Sequence, residues 1–422
     1  MTRLALIATA LCICALICSC GSTANNSNSN SAASPTSPSA SGGAPSGGSS
    51  GGSGGSSGST GSGGSTGGSS GGSSGSGSAG SGSGSGNASP SALAFAGSSS
   101  NQFFGIVVDG SGNASTSAGS PHSVNGDNLF LAASGKLLFV DGHFSSNLAG
   151  DNITTYRSDA NGALTNLGSI TANGAAFIAA DSAGKFVYAS ADTDIQHRGF
   201  TSPAMYGFAV DQNSGKLTAL PGSPWALSGE EAGQIGVSPN GSRVCITLVL
   251  GRNNQAVQCY ARHSDGTIDA SSFVTPVSSS TTIPSFTFSS DGTHVISTDG
   301  ANNMVHSSAI ASSPNTTAVS SGGSFADGVA LDASGHWLAV VNLASATVSI
   351  MAVAADGTLS QPGAPVTVGA EAAQAAFSQN GNYLFVTAVD GTRVYSFDAK
   401  AGLLKTLNSG NPLPGTGPVV GM

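Results

Sequence analysis

Five polar side chains stand just ahead of recurrent apolar segments: Asp127, Asn128, Gln234, Asp327 and Gln374, with Glu230, Glu231 and Glu371 close by in the chain. Carboxylates and amides exchange hydrogen bonds with hydroxyl groups, and carboxylates attract cations. A patch with acids and amides but no bases therefore suits a neutral, sugar-like or cationic ligand. Taken singly, each of these residues is also what a solvated strand end would carry. His143 and the stretch "DTDIQHR", with Asp192, Asp194, His197 and Arg198, place further polar groups in long loops. Their spacing is not that of a zinc or calcium site, and the chain has no Gly-x-Ser-x-Gly elbow, phosphate loop or dinucleotide fingerprint, so neither a metal nor a cofactor is expected. Cys245 and Cys259 flank "GRNNQ" at nearly equal distances in "VCITLVLGRNNQAVQCY". An antiparallel hairpin centred near Arg252 sets them opposite or one residue off, which allows a disulfide; two buried thiols are the alternative.

What must position these groups is a repeat. "LAASGKLLFV" from Leu131 returns as "ADSAGKFVYA", "VSPNGSRVCI", "FSSDGTHVIS", "LDASGHWLAV" and "FSQNGNYLFV". The shared glycines are Gly135, Gly184, Gly241, Gly292, Gly335 and Gly381, at intervals of 43 to 57 residues, the range of one propeller blade per repeat. The apolar runs are rich in Val, Ile, Phe and Tyr and are broken by Asn-Gly, Asp-Gly and Ser-Gly, so they read as strands joined by hairpins. Runs such as "LLFV", "AAFIAA" and "WLAVV" are apolar on both faces, as a sheet covered on both sides requires. Neighbouring blades supply those covers, and only a completed ring supplies all of them.

The ends set the count. "FFGIVVDGSGNASTSAGSPHSV" from Phe103 aligns with "MYGFAVDQNSGKLTALPGSPWAL" from Met205, so the first repeat has its later strands but lacks the opening phrase. "GPVVGM" from Gly417 looks like an inner strand without its blade. Six full repeats and one shared between the N- and C-terminal segments make an all-β, seven-bladed β-propeller of four-stranded blades over residues 91–422.

Composition excludes several partners. Only 8% of residues are charged, against about a quarter in typical domains, and the formal charge is −9 with no basic cluster. That removes the electrostatic footprint of nucleic-acid binding or of docking on an anionic membrane surface.

The first residues, "MTRLALIATALCICALICSCGS", resemble a bacterial lipoprotein signal, with Ile17 three places before Cys20 and a compact residue, Ser19, just before it. The resemblance implies a signal peptide over 1–19 and lipidation of Cys20, which would hold the protein to a membrane in the cell envelope, periplasmic or surface-exposed. The apolar run is too short for a spanning helix. Residues 20–90 are nearly all Ser, Gly, Ala and Asn, a composition that forms no core and gives a tether with a reach of roughly 45 to 50 Å; a glycosylated stalk is the other reading.

The folded part resembles the lactonase family of seven-bladed propellers, whose inner-strand phrase runs Phe-Ser-Pro-Asp-Gly before an apolar strand; "VSPNGSRV" and "FSSDGTHV" are the nearest copies. Family members usually carry Pro-Arg-His just ahead of that phrase. Here the Arg position holds Asp127, Ala176, Gly233, Pro284, Asp327 and Ala373, and the His position holds Asn128, Phe177, Gln234, Ser285, Gly328 and Gln374. Lactone opening needs a base for water and a donor or cation for the developing oxyanion, and a phosphorylated substrate adds a demand for Arg or Lys. The departure favours a noncatalytic module that binds a protein or glycan, as a monomeric ring. A divergent lactonase of the 6-phosphogluconolactonase type and a purely structural envelope component are the alternatives.

Overall fold

The six repeat glycines all take a left-handed backbone, φ 58° at Gly135, 64° at Gly184, 68° at Gly241, 71° at Gly292, 74° at Gly335 and 70° at Gly381. That is the conformation a tight reversal demands and the reason glycine recurs there. In five repeats the residue three places earlier, a buried Asp or Ser, fixes the turn through its side chain. The Asp181 carboxylate accepts from the backbone N–H of Lys185 and Phe186 at 2.7 and 2.9 Å, and Asp332 does the same for His336 and Trp337 at 3.0 and 2.8 Å. The Oγ atoms of Ser238, Ser289 and Ser378 accept from Arg243, His294 and Tyr383. Ala132 holds the corresponding place in the first of these repeats.

The structure is a computed structural model that describes residues 90–422, apart from 99–100, 127, 144–150, 192–201, 252–253, 280–281, 312–314 and 362. The expected signal peptide, Cys20 and the tether fall on 1–89, outside the described residues. So do Asp127, Asp192, Asp194, His197, Arg198 and the hairpin tip at Arg252.

Seven antiparallel sheets follow one another along the chain. Their innermost strands are Asn128–Ser134, Ala175–Ala180, Glu231–Val237, Phe286–Phe288, Ala326–Leu331, Gln374–Phe377 and, from the end of the chain, Val419–Gly421. We number the blades so that Val419–Gly421 belongs to blade 1 and Asn128–Ser134 to blade 2. In blade 1 the C-terminal strand pairs with Ala92–Gly97, which pairs in turn with Gln102–Val108. The sequence thus closes the ring as expected, with the blade split between the two ends of the chain.

Packing explains why the ring must be complete. Among the described residues, seven clusters of buried apolar side chains form, one at each junction of neighbouring blades. Phe139 and Ile153 of blade 2 meet Val187 and Phe208 of blade 3, for example, and Phe385 of blade 7 meets Ile106 of blade 1. Second strands such as Phe186–Ala191, His294–Asp299, Trp337–Asn342 and Tyr383–Ala388 are buried at every position after the first, so both faces are covered. Outermost strands such as Leu164–Thr171 are largely exposed. Cys245 and Cys259 lie in directly paired positions, fully buried, and are joined by a disulfide with Cα atoms 4.0 Å apart in the junction between blades 4 and 5.

Candidate functional site

The innermost strands of blades 2 to 7 each run toward their glycine turn, so all six begin on the opposite face of the ring, the channel face. The polar residues singled out from the sequence gather at those beginnings. Asn128, Glu231 and Gln374 each start an innermost strand, Gln234 and Asp327 lie within one, and Glu230 and Glu371 stand just before one. None of the seven innermost strands carries Lys, Arg or His.

The backbone at this face is irregular in a specific way. In blade 3 the pairing jumps from Ala189 opposite Ile178 to Ala191 opposite Ala175, so Ala176 and Phe177 face the single residue Ser190. Blade 4 repeats it, with Gly233 and Gln234 against Thr247, and blade 6 with Asp327 and Gly328 against Val341. These are β-bulges, which aim side chains out of the regular alternation and are over-represented beside functional sites. The backbone groups a bulge would orphan are met by hydroxyls on the second strand. Ser190 Oγ accepts from the Phe177 N–H at 3.2 Å and Thr247 Oγ1 donates to the Gln234 carbonyl at 3.4 Å, while Thr298 Oγ1 of neighbouring blade 5 accepts from the Ser285 N–H and can donate its one hydrogen to either the Ser285 or the Asp327 carbonyl, at 3.1 and 3.0 Å.

Of the sequence candidates, Gln234 is not free to take a ligand. Its amide Oε1 accepts from the Phe286 N–H at 2.7 Å and its Nε2 donates to the Phe286 carbonyl at 3.2 Å, so the side chain stitches blade 4 to blade 5. Glu230, Glu231 and Glu371 are exposed, and Glu371 has a left-handed backbone at φ 52°. Gln374 is half-buried. Asp327 is the distinctive member: burial pushes its carboxyl up to about 7, so that near neutrality it is partly protonated and can both donate and accept. The expected metal-free character rests on spacing in the sequence; among the described residues no group of three or more His, Cys, Asp or Glu comes together.

Sequence reasoning missed the apolar part of this face. Phe130 of blade 2 and Phe177 of blade 3 bring their rings to 4.5 Å between centroids, at 47°, across neighbouring innermost strands. Phe177 sits in a bulge and at the family's His position, which was the available signal. The arrangement as a whole offers a titrating carboxyl, an amide and an aromatic pair at one end of a ring. It can exchange hydrogen bonds with hydroxyls and stack an apolar face.

No family model matches the chain, and no curated protein matches it. Solved structures do. A protein from Lactobacillus plantarum is similar at 18% identity with a TM-score of 0.62, over 78% of this chain and 99% of that one. A putative 6-phosphogluconolactonase from Bacteroides fragilis is similar at 16% identity and TM-score 0.61, over 79% and 98%. The periplasmic gluconolactonase of Pseudomonas aeruginosa is similar at 18% and 0.61, over 78% and 99%. The class these define with the geometry above is the seven-bladed β-propeller of lactonase-like fold.

Proposed function

We propose that the protein is a binding propeller of the cell envelope that takes a neutral, sugar-like or cationic ligand at the face where its innermost strands begin, without lactone-opening chemistry. The carrying observation is that none of the family's Arg and His positions keeps its residue, and that three of them, Gly233, Gln234 and Gly328, are closed as well. A Cβ on Gly328 would run into the Ala373 carbonyl oxygen of the next blade. A Cβ on Gly233 would stand 2.5 Å from Thr247 Oγ1. The amide of Gln234 is held by Phe286. A site that keeps hydroxyl-matching groups and supplies no Lys, Arg or His from its innermost strands is suited to binding rather than to acyl transfer. The periplasmic location named for the Pseudomonas aeruginosa protein and the lipoprotein-like Cys20 both support an envelope setting; detergent-phase partition lost in Cys20→Ala would test the anchor.

A second reading rests on Asp327. A carboxyl poised near 7 is suited to general-base activation of water, as a hydrolase of the kind named for the structural neighbours would need. One experiment separates the two. The purified protein is assayed with gluconolactone and 6-phosphogluconolactone from pH 5 to 9, alongside thermal-shift titration with neutral sugars and polyamines. Stabilisation by a sugar or polyamine with hydrolysis no faster than in buffer supports the binding reading. Turnover that rises through pH 7 and vanishes in Asp327→Asn supports the hydrolase and overturns it.

A further inference from the structure

Outward of the innermost strands and toward the same face, blades 4 and 5 flank a partly open pocket of about 90 Å³. One wall is the face of blade 5 that carries Ser297, Asp299, His306 and Ser308; the other is apolar, with Val277 of blade 4 and Ile283 of the connecting segment. Strand register assembles the polar wall. Ser297 stands directly opposite His306 on paired strands, and Asp299 and Ser308 lie two residues along each strand, on the same side. His306 Nε2 and Asp299 Oδ2 are 3.6 Å apart, and Asp299 is further held by the N–H and side-chain amide of Asn302 at 3.1 and 2.9 Å. Ser308 Oγ shares a hydrogen bond of 2.9 Å with Thr316 Oγ1.

Ser297 is the member that points to a ligand. It is 1% exposed, lines the cavity, and its Oγ has no hydrogen-bond partner among the described residues. A buried hydroxyl with nothing to bond is costly, and an alanine would fill the same strand position without that cost. A hydroxyl retained there, beside a His–Asp pair, is explained if something entering the cavity completes it.

The walls limit what that is. An anion would meet the Asp299 carboxylate. A cation would have to displace His306 from a carboxylate already bonded to Asn302. A neutral group that donates to Asp299 and accepts from or donates to Ser297, His306 and Ser308, while laying carbon against Val277 and Ile283, satisfies both walls. At about 10–15 Å³ of such space for a single water, the pocket has room for a small neutral molecule with two hydroxyls on adjacent carbons. We propose that this interblade pocket is a second binding site, separate from the innermost-strand residues, that takes the vicinal diol of a free polyol or of a terminal sugar residue of a glycan.

The test uses the whole protein and ligand-detected NMR titration with glycerol, with a neutral oligosaccharide blocked at its reducing end, and with 1,3-propanediol and acetate as controls. Saturable binding of glycerol or the oligosaccharide, with 1,3-propanediol and acetate much weaker, is expected. Equal affinity for the first two marks free polyols as the source, and a tenfold preference for the oligosaccharide marks a glycan end. Ser297→Ala and Ser308→Ala should each weaken binding by roughly 3- to 10-fold, the worth of one buried neutral hydrogen bond. Ser297→Ala should leave the melting temperature unchanged or raised, which separates lost binding from lost folding. Undiminished binding in both variants, equal binding of 1,3-propanediol, or a preference for acetate would overturn the proposal. Sugar stabilisation that persists in Ser297→Ala belongs to the innermost-strand site and stabilisation lost in that variant to this pocket, so the two outcomes are separable.

Discussion

Val420 stands directly opposite Phe95 in an antiparallel pair that joins the last strand of the chain to the first strand of the ring. Phe95 is fully buried, in a core that also holds Phe103, Leu129 and Leu138, and Val420 packs against that core. The seam is reinforced outside the strands, where the Gly97 N–H donates to the Pro418 carbonyl at 2.7 Å and the Met422 N–H to the Leu93 carbonyl at 2.8 Å. On its other side Gly421 abuts the Phe377 carbonyl of blade 7, so the short strand seals two junctions at once.

Deleting 417–422 removes those bonds, uncovers Phe95 and leaves the second strand of blade 1 as a bare edge. At about 1 kcal/mol for each net hydrogen bond and ~1.5–3 kcal/mol for a buried aliphatic side chain, the loss is on the order of 3–6 kcal/mol. The melting temperature should fall by roughly 5–15 °C in calorimetry. A truncated protein that melts with the parent would show that the ring does not depend on this seam.

The Cys245–Cys259 disulfide, with a sequence separation of 14, should stabilise the fold by about 3 kcal/mol through restriction of the unfolded chain. Cys245→Ala with Cys259→Ala is therefore expected to lower the melting temperature and to remove its sensitivity to reductant. The check on the bond itself is peptide mapping after denaturation in alkylating reagent without reductant. Neither cysteine should be modified; two alkylated cysteines would remove the basis for the stability claim.

The ring was legible in the sequence because the signals that specify it are local. Gly135 through Gly381 must adopt positive φ, and in five of these six turns an Asp or Ser three residues earlier bonds within the same turn, so blades 2 to 7 each announce themselves in ten residues or fewer. The site was legible only as a set of positions. Gln234 reads as a free amide until Phe286, 52 residues on, is seen to occupy both ends of it. The bulges at Phe177, Gln234 and Asp327 depend on what the paired strand does, and the cavity at Ser297 depends on the apolar wall of another blade. Relations between blades carry no spacing rule a single sequence can display.

Asp327 makes stability depend on pH in a defined window. Its carboxyl is pushed up from 3.8 to about 7 by burial, so the folded state holds a proton that the unfolded state has already released. The folded protein then binds more protons than the unfolded one between about pH 4 and 7, and stability falls as pH rises through that range and levels above it. The side chain keeps partial exposure, which places the cost on the order of 2–4 kcal/mol at pH 8. Asp327→Asn should be more stable than the parent at pH 8 and nearly equal at pH 4, by denaturant titration at both. A variant whose stability tracks the parent at both values would place the ordinary carboxylate pKa at this residue.

The closed position at Gly328 makes the last prediction. Gly328 has no room for a Cβ, because the Ala373 carbonyl and the Gln374 Cα of blade 7 lie against it, and both are backbone that cannot turn aside as a side chain would. Gly328→Ala should therefore push blades 6 and 7 apart and cost about 1–3 kcal/mol, the usual penalty for overpacking a well-filled site. Gly363→Ala is the matched control, since among the described residues nothing lies within 4 Å of its Cβ position. It should melt with the parent. The same geometry predicts that restoring the family pair by Asp327→Arg with Gly328→His destabilises the ring and brings no lactone turnover, because a His at that position has nowhere to stand on the channel side of the bulge. A double variant that keeps the parent's melting temperature and hydrolyses gluconolactone would show that the positions are open and that only their side chains had changed.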